Sequence, residues 1–136
     1  IQAALGISQL SKLNLFLKRR NYLAKVYETE LKNLPLKCQK INPYNFSSRH
    51  LFIILLKKNL RDKLYLFLKN KKIQTNLHYI PIYKHPFFHN KFKLKNYPVS
   101  ENYFNKALSI PLHCKLTNQQ QKFIILSIKE FFKKNI

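Results

Sequence analysis

The chain has 136 residues, 46% of them hydrophobic, which allows one compact domain with a core and excludes the composition of a disordered tail. Its formal net charge of +21, from 26 Lys and Arg against five Asp and Glu, raises a polyanion partner first. No apolar run approaches the roughly 20 residues that cross a bilayer; the longest, residues 51–56, is too short for a signal-peptide core, so a soluble, cytoplasmic protein with no membrane partner is expected.

The opening Ile1-Gln2-Ala3-Ala4-Leu5 reads as the middle of a helix, with no initiator Met, and further sequence is expected upstream. Over residues 2–34 apolar side chains recur at helical spacing: Ala3, Ile7, Leu10, Leu13, Leu17, Ala24, Tyr27 and Leu31. At 1.5 Å per residue this helix would run roughly 50 Å, a length suited to joining domains or lying along a partner. A bend is expected near Arg20-Asn21, and Pro35 ends the pattern. Residues 37–46 lack periodicity and read as a loop. Residues 50–56 are almost continuously apolar and predict a strand covered on both faces. Asn59 is placed to cap a helix over 60–68, with Asp62 in its first turn.

Residues 73–82 read as a second extended segment, stopped by Pro81, and 83–97 as an aromatic, basic surface loop. Ser100 is expected to cap a short helix over 101–107, and 108–112 to form a third strand. Thr117 with Gln120 makes a capping box for a last helix running to about residue 133. In that helix Phe123, Ile124, Leu126, Ile128 and Phe131 are apolar, with Ser127 and Glu130 on a polar strip. The order predicts an α/β domain with a long helix and about three strands in one sheet, flanked by helices.

Few constellations carry chemistry. The densest is His78-Tyr79-Ile80-Pro81-Ile82-Tyr83-Lys84-His85-Pro86-Phe87-Phe88-His89, where prolines stiffen a run of donors and acceptors. A neutral His and a Tyr hydroxyl there suit sugar hydroxyls, and Lys84 suits a phosphate; the plainer reading is a loop whose aromatics cover the core. No metal site is expected: Pro86 interrupts the His85–His89 spacing and no carboxylate is near to support it. The five acids, Glu28, Glu30, Asp62, Glu101 and Glu130, all fall in predicted helices, and the single glycine, Gly6, rules out a Gly-rich phosphate loop. Cys38 and Cys114 are distant in sequence and read as free thiols. These residues form no self-contained catalytic machine.

Several stretches together resemble the DegT/DnrJ/StrS family of pyridoxal-phosphate sugar-nucleotide aminotransferases. They are residues 1–10 with Arg19-Arg20 and Tyr27, then Ser47-Ser48-Arg49-His50-Leu51-Phe52, then Ile73-Gln74-Thr75-Asn76-Leu77-His78-Tyr79-Ile80-Pro81 continuing to Pro86-Phe87-Phe88. Pro98-Val99-Ser100-Glu101, Ala107-Leu108-Ser109-Ile110-Pro111-Leu112 and Thr117 with Gln120-Gln121 complete the series. The His78-Tyr79-Ile80-Pro81 version is most similar to the branch acting in pseudaminic acid synthesis. Two positions depart from the pattern: Lys72 stands where the family usually has Gly, and Arg49 where it has an aromatic.

The resemblance implies the small C-terminal domain of a fold-type-I aminotransferase over residues 1–136, with the end of the connecting helix region at 1–34 and the large, cofactor-binding domain not included. It implies transfer of an amino group from glutamate to a 4-keto nucleotide sugar by way of pyridoxal phosphate. The Schiff-base lysine would belong to an upstream motif, so no catalytic residue is assigned here. By the same resemblance His78, Tyr79 and Tyr83 would lie at the sugar or cofactor side, with His50 and Arg49 as further substrate-binding candidates and Arg49 toward the diphosphate. A homodimer is implied as well.

Two other classes stand beside this one, a basic nucleic-acid-binding module and an inactive remnant of such an enzyme. Nucleic acid is the less expected partner. Arg occurs only at Arg19, Arg20, Arg49 and Arg61, the lysines are spread out, and Lys, Asn, Ile, Phe and Tyr share AT-rich codons that account for the profile.

Overall fold

A computed structural model describes residues 1–57, 59–89 and 97–135. The chain opens with two helices, α1 (Gln2–Leu10) and α2 (Leu13–Leu31), followed by strands β1 (Leu36–Cys38) and β2 (Phe52–Leu56) and helix α3 (Leu60–Asn70). After a 3-10 turn at Ile82–Lys84 come the short helices α4 (Pro86–His89) and α5 (Pro98–Phe104), strand β3 (Ala107–Ile110) and the closing helix α6 (Asn118–Asn135). The strands form one antiparallel sheet in the order β1-β2-β3. It is the expected α/β architecture with a three-stranded sheet and flanking helices.

The core lies between one face of this sheet and the helices α2, α3 and α6. Phe52, Ile54 and Leu56 of β2 alternate into it, in register with Ile110, Leu108 and the Leu36 end of β1. Leu23, Tyr27 and Leu31 of α2, Leu64 and Leu68 of α3, and Ile124, Ile128 and Phe131 of α6 meet them there. Each such side chain, fully buried, contributes about 1.5–3 kcal/mol over its exposed state. Burial raises the Tyr27 phenol far above its ordinary range, and its hydroxyl donates to the Pro111 carbonyl at 2.9 Å, tying α2 to the end of β3.

The predicted 50 Å helix is broken, and not where the bend was expected. The Ser11 hydroxyl donates back to the Ser8 carbonyl at 2.8 Å, and the Lys12 N–H goes to Gln9 instead of Ser8. A serine competing in this way for the preceding turn bends or ends helices. α2 runs straight through Arg20-Asn21, where Asn21 donates to Leu17 and Ser47 from its side chain. α1 buries nothing, and Leu5, Ile7 and Leu10 stay exposed.

The strand count holds but its membership differs. Residues 36–38, inside the segment read mostly as a loop, form β1; three residues are too few to show an alternation. Residues 73–82 make no strand. Asn76 forms one bridge with Ser109, and its side-chain oxygen accepts the N–H of Leu77 at 2.8 Å, but no second rung follows among the described residues. β2 is buried on one face only, since Ile53 and Leu55 are half-covered; it is an antiparallel centre strand and not one enclosed on both sides.

Helix ends follow sequence signals unevenly. The Thr117–Gln120 box forms in full, with Thr117 N–H to Gln120 Oε1 at 2.9 Å and Gln120 N–H to Thr117 Oγ1 at 3.1 Å. Asn59 stands at the start of α3 but in the left-handed region (φ 71°), with no side-chain cap bond. α5 starts earlier than expected because Pro98 takes its first position, leaving Ser100 inside the first turn. Lys72 adopts φ 60°, the conformation a glycine would take, and closes α3: its N–H bonds Lys69 and the N–H of Ile73 bonds Leu68, both at 2.9 Å. The backbone keeps the glycine geometry with a lysine in it. On α6 the buried stripe is Gln121, Ile124, Ile125, Ser127, Ile128, Phe131 and Phe132, while Phe123 and Leu126 are half-exposed. Ser127 therefore belongs to the core side, and Glu130 bridges Lys71 and Lys134.

Candidate functional site

Ser109 sits in β3 opposite Ile53, so its side chain leaves the sheet on the face away from the core. Its backbone exchanges two hydrogen bonds with Asn76, at 3.1 and 2.9 Å. That rung places His78 over the same face, and the His78 Nδ1 lies 2.8 Å from Ser109 Oγ. Tyr79 stands edge-on to the imidazole, with centroids 4.8 Å apart, and is 75% exposed. A half-buried imidazole pinned from behind and an open phenol beside it make a surface of fixed donors and acceptors.

Tyr83 follows on the 3-10 turn. Its hydroxyl donates to Glu101 Oε1 at 2.8 Å while Lys84 Nζ donates to Glu101 Oε2 at 2.6 Å, so one carboxylate from α5 holds two neighbouring side chains. Tyr83 also stacks on Tyr97 at 4.7 Å, and Lys84 lies over the Phe104 ring at 5.1 Å. The bond from Lys84 and then that from Tyr83 hold the Glu101 carboxyl below its ordinary range. Partial burial, with the Glu101 carboxylate behind it, raises the Tyr83 phenol. Of the sequence-predicted residues, the structure gathers His78 and Tyr79 into direct contact and fixes Tyr83 four residues on along the same segment.

Arg49 and His50 lie elsewhere. Arg49 takes a left-handed conformation (φ 48°), and its guanidinium pairs with Glu28 of α2 at 2.8 Å. The pair lies on the helix side, beside Cys38, at the free edge of β1. There it borders a cleft of about 1000 Å³ that Lys32, Lys37 and Lys40 also line. Burial, and next the Glu28 charge, push the Cys38 thiol up. His50 is exposed.

Sequence reading missed Ser109, Glu101 and Glu28 as partners of the site side chains. Ser109 had a signal: a lone hydroxyl between Leu108 and Ile110 in a strand otherwise apolar. Glu101 and Glu28 had none, because their partners lie 17 or more residues away.

Among the described residues no three His, Cys, Asp or Glu side chains group to hold a metal ion, and no helix is long and apolar enough to cross a membrane. All five carboxylates already pair with Lys or Arg, so among the described residues none stands free to meet the ring nitrogen of pyridoxal phosphate.

Residues 1–129 match the DegT/DnrJ/EryC1/StrS aminotransferase family. The chain is 34% identical over 144 residues to the UDP-4-amino-4,6-dideoxy-N-acetyl-beta-L-altrosamine transaminase of Campylobacter jejuni, covering 98% of this chain and 38% of that protein. It superposes on PseC of Helicobacter pylori, an aminotransferase involved in the biosynthesis of pseudoaminic acid, with a TM-score of 0.88 at 26% identity, over 98% of this chain and 37% of that one. The PLP-form of Spr1654 from Streptococcus pneumoniae superposes with a TM-score of 0.90 at 27% identity, over 98% and 36% of the two chains. The chain therefore spans little more than a third of the length of the proteins it matches.

Proposed function

The chain belongs to the DegT/DnrJ/EryC1/StrS aminotransferase family, and on that footing we propose that residues 1–136 are the substrate-side small domain of a sugar-nucleotide aminotransferase. The reaction moves an amino group from glutamate to a 4-keto nucleotide sugar. The keto carbon gains the amine and a hydrogen, and glutamate leaves as 2-oxoglutarate, so the exchange balances without an outside oxidant. Pyridoxal phosphate, the carrier of the amino group in such enzymes, is held by residues outside 1–136.

The observation that carries this reading is the His78–Ser109 contact at 2.8 Å with Tyr79 beside it. It presents polar atoms in fixed positions on an otherwise covered sheet face, the arrangement that orients sugar hydroxyls. Tyr83, tied to Glu101, extends that surface. Arg49 lies toward the diphosphate end of the substrate, where Lys32, Lys37 and Lys40 of the adjoining cleft supply the positive charge while Glu28 occupies its guanidinium, and His50 is a further substrate-binding candidate. The favoured substrate is the UDP-linked 4-keto sugar of a pseudaminic-acid-type pathway, after the likeness to the Campylobacter jejuni and Helicobacter pylori proteins. The protein works as a homodimer, in the cytoplasm.

The test uses the complete reading frame expressed with pyridoxal phosphate. Borohydride reduction followed by mass spectrometry should fix the cofactor on a lysine outside residues 1–136. Incubation with glutamate and UDP- or GDP-linked 4-keto sugars should yield 2-oxoglutarate with the UDP sugar preferred, and light scattering should give a dimer. A protein that takes up no cofactor, or that transaminates no nucleotide sugar, would refute the proposal.

A further inference from the structure

A neutral imidazole carries its proton on one of two ring nitrogens, and that choice decides whether it meets a ligand as donor or acceptor. At His78 the choice falls to Ser109. The Ser109 residue is 6% exposed, and among the described residues its hydroxyl meets only the His78 Nδ1, at 2.8 Å. Were Nδ1 protonated, it would donate to Oγ, and the hydroxyl's own hydrogen would be buried with no acceptor. An orphaned buried donor is among the costlier defects in a folded protein. With Ser109 donating to Nδ1, only an oxygen lone pair goes unused, which costs less.

The backbone keeps this geometry in place. Asn76 and Ser109 exchange N–H···O bonds at 3.1 and 2.9 Å, so the residue that carries the hydroxyl also anchors the segment that carries the imidazole. The Ser109 backbone cannot drift relative to the His78 segment without breaking that rung.

We propose that Ser109 is a positioning residue that holds His78 in the Nε2–H form, so that the ring donates a hydrogen bond from Nε2 to an oxygen of the substrate. The acceptor class is a sugar hydroxyl or keto oxygen of a nucleotide sugar, and this part rests on the reading of the chain as an aminotransferase domain. An Nε2 donor discriminates in favour of an oxygen acceptor and against a group that would itself donate.

The proposal is tested by nitrogen NMR on the complete, cofactor-loaded protein labelled with ¹⁵N-histidine, with His78 identified by the signal lost in His78→Gln. The wild type should show Nε2 protonated and Nδ1 bare. Ser109→Ala should mix the two forms and raise KM for the nucleotide sugar in proportion to the Nε2–H population lost, about twofold for an even mixture. kcat and the glutamate half-reaction should stay within about twofold, and Ser109→Thr should restore both tautomer and KM. A wild-type ring protonated at Nδ1 would overturn the assignment, as would a Ser109→Ala protein whose ring and KM are unchanged. If the alanine variant does not fold, the wild-type spectrum decides alone. A protein that turns over no nucleotide sugar, yet loses its Nε2–H form in Ser109→Ala, would remove the aminotransferase reading and leave the Ser109–His78 assignment standing.

Discussion

The helix face of the sheet and its opposite face are held by different forces. On the helix side, Phe52, Ile54, Leu108 and Ile110 close against α2, α3 and α6 with almost no exposure. On the other side, residues 74–89 have no regular ladder and are fastened at points: the Asn76 rung, His78 on Ser109, and Tyr83 with Lys84 on Glu101. Apolar burial involves no titrating group, whereas the point contacts are polar and two of them depend on one carboxylate. The face meant to meet a ligand is thus the one whose structure can be adjusted without disturbing the core.

The largest effect should come from breaking the helix side. Phe52→Ala removes a side chain that is 1% exposed and touches the Tyr27 ring at 5.1 Å. Denaturant unfolding should show a loss of about 3–5 kcal/mol, while the spectrum of the His78 ring stays as it is in molecules still folded.

Lys72→Gly should act in the other direction. A lysine at φ 60° carries a left-handed cost of about 1–2 kcal/mol that glycine avoids. Part of that gain is lost to the freer unfolded chain, so the unfolding midpoint should rise by the equivalent of about 1 kcal/mol or less. No rise would mean that the lysine side chain contributes contacts of its own.

Thr117→Ala strips the capping box from α6 and should cost about 1 kcal/mol. Replacing Asn59 with Ala should cost less, because Asn59 makes no side-chain cap bond, although its φ of 71° suits Asn better than Ala. The ratio of the two effects tests whether the cap bond or the backbone conformation matters more.

The smallest global effect, and the most local one, is expected from Glu101→Gln. Its carboxyl is held below the ordinary 4.5, so what it contributes is present above that pH and lost as pH falls through the depressed value. Hydrogen-exchange protection across residues 82–88, relative to the intrinsic rate at each pH, should fall in acid in the wild type and already be low at neutral pH in Glu101→Gln, with core protection unchanged. Glu130 offers the control on the other side of the sheet. Lys134, then Lys71, hold its carboxyl at about 2, so that anchor should persist to lower pH than the Glu101 clamp.

Much of the architecture was legible beforehand because it depends on neighbours in sequence. The Thr117–Gln120 box, the apolar run of β2 and the C-terminal helix are settled within a turn or a strand. Expectations failed where a distant partner or a single side chain intervened. Only the single Asn76–Ser109 bridge formed where a strand was expected, and Ser11 bonded back to Ser8 and broke a helix. The site divides the same way: His78 and Tyr79 stood out as a polar-aromatic run, but the pairing of His78 with Ser109 across 31 residues, and of Tyr83 with Glu101 across 18, could not be read.

By itself, then, the sequence determined the α/β class, the family likeness and the identity of the polar run, since these follow from composition, periodicity and motif order along the chain. Only the tertiary structure decided that Arg49 belongs to Glu28 beside β1 and that His78 belongs to Ser109 of β3. Side-chain pairing over such separations is governed by strand register, and a shift of one residue would send each side chain to the other face.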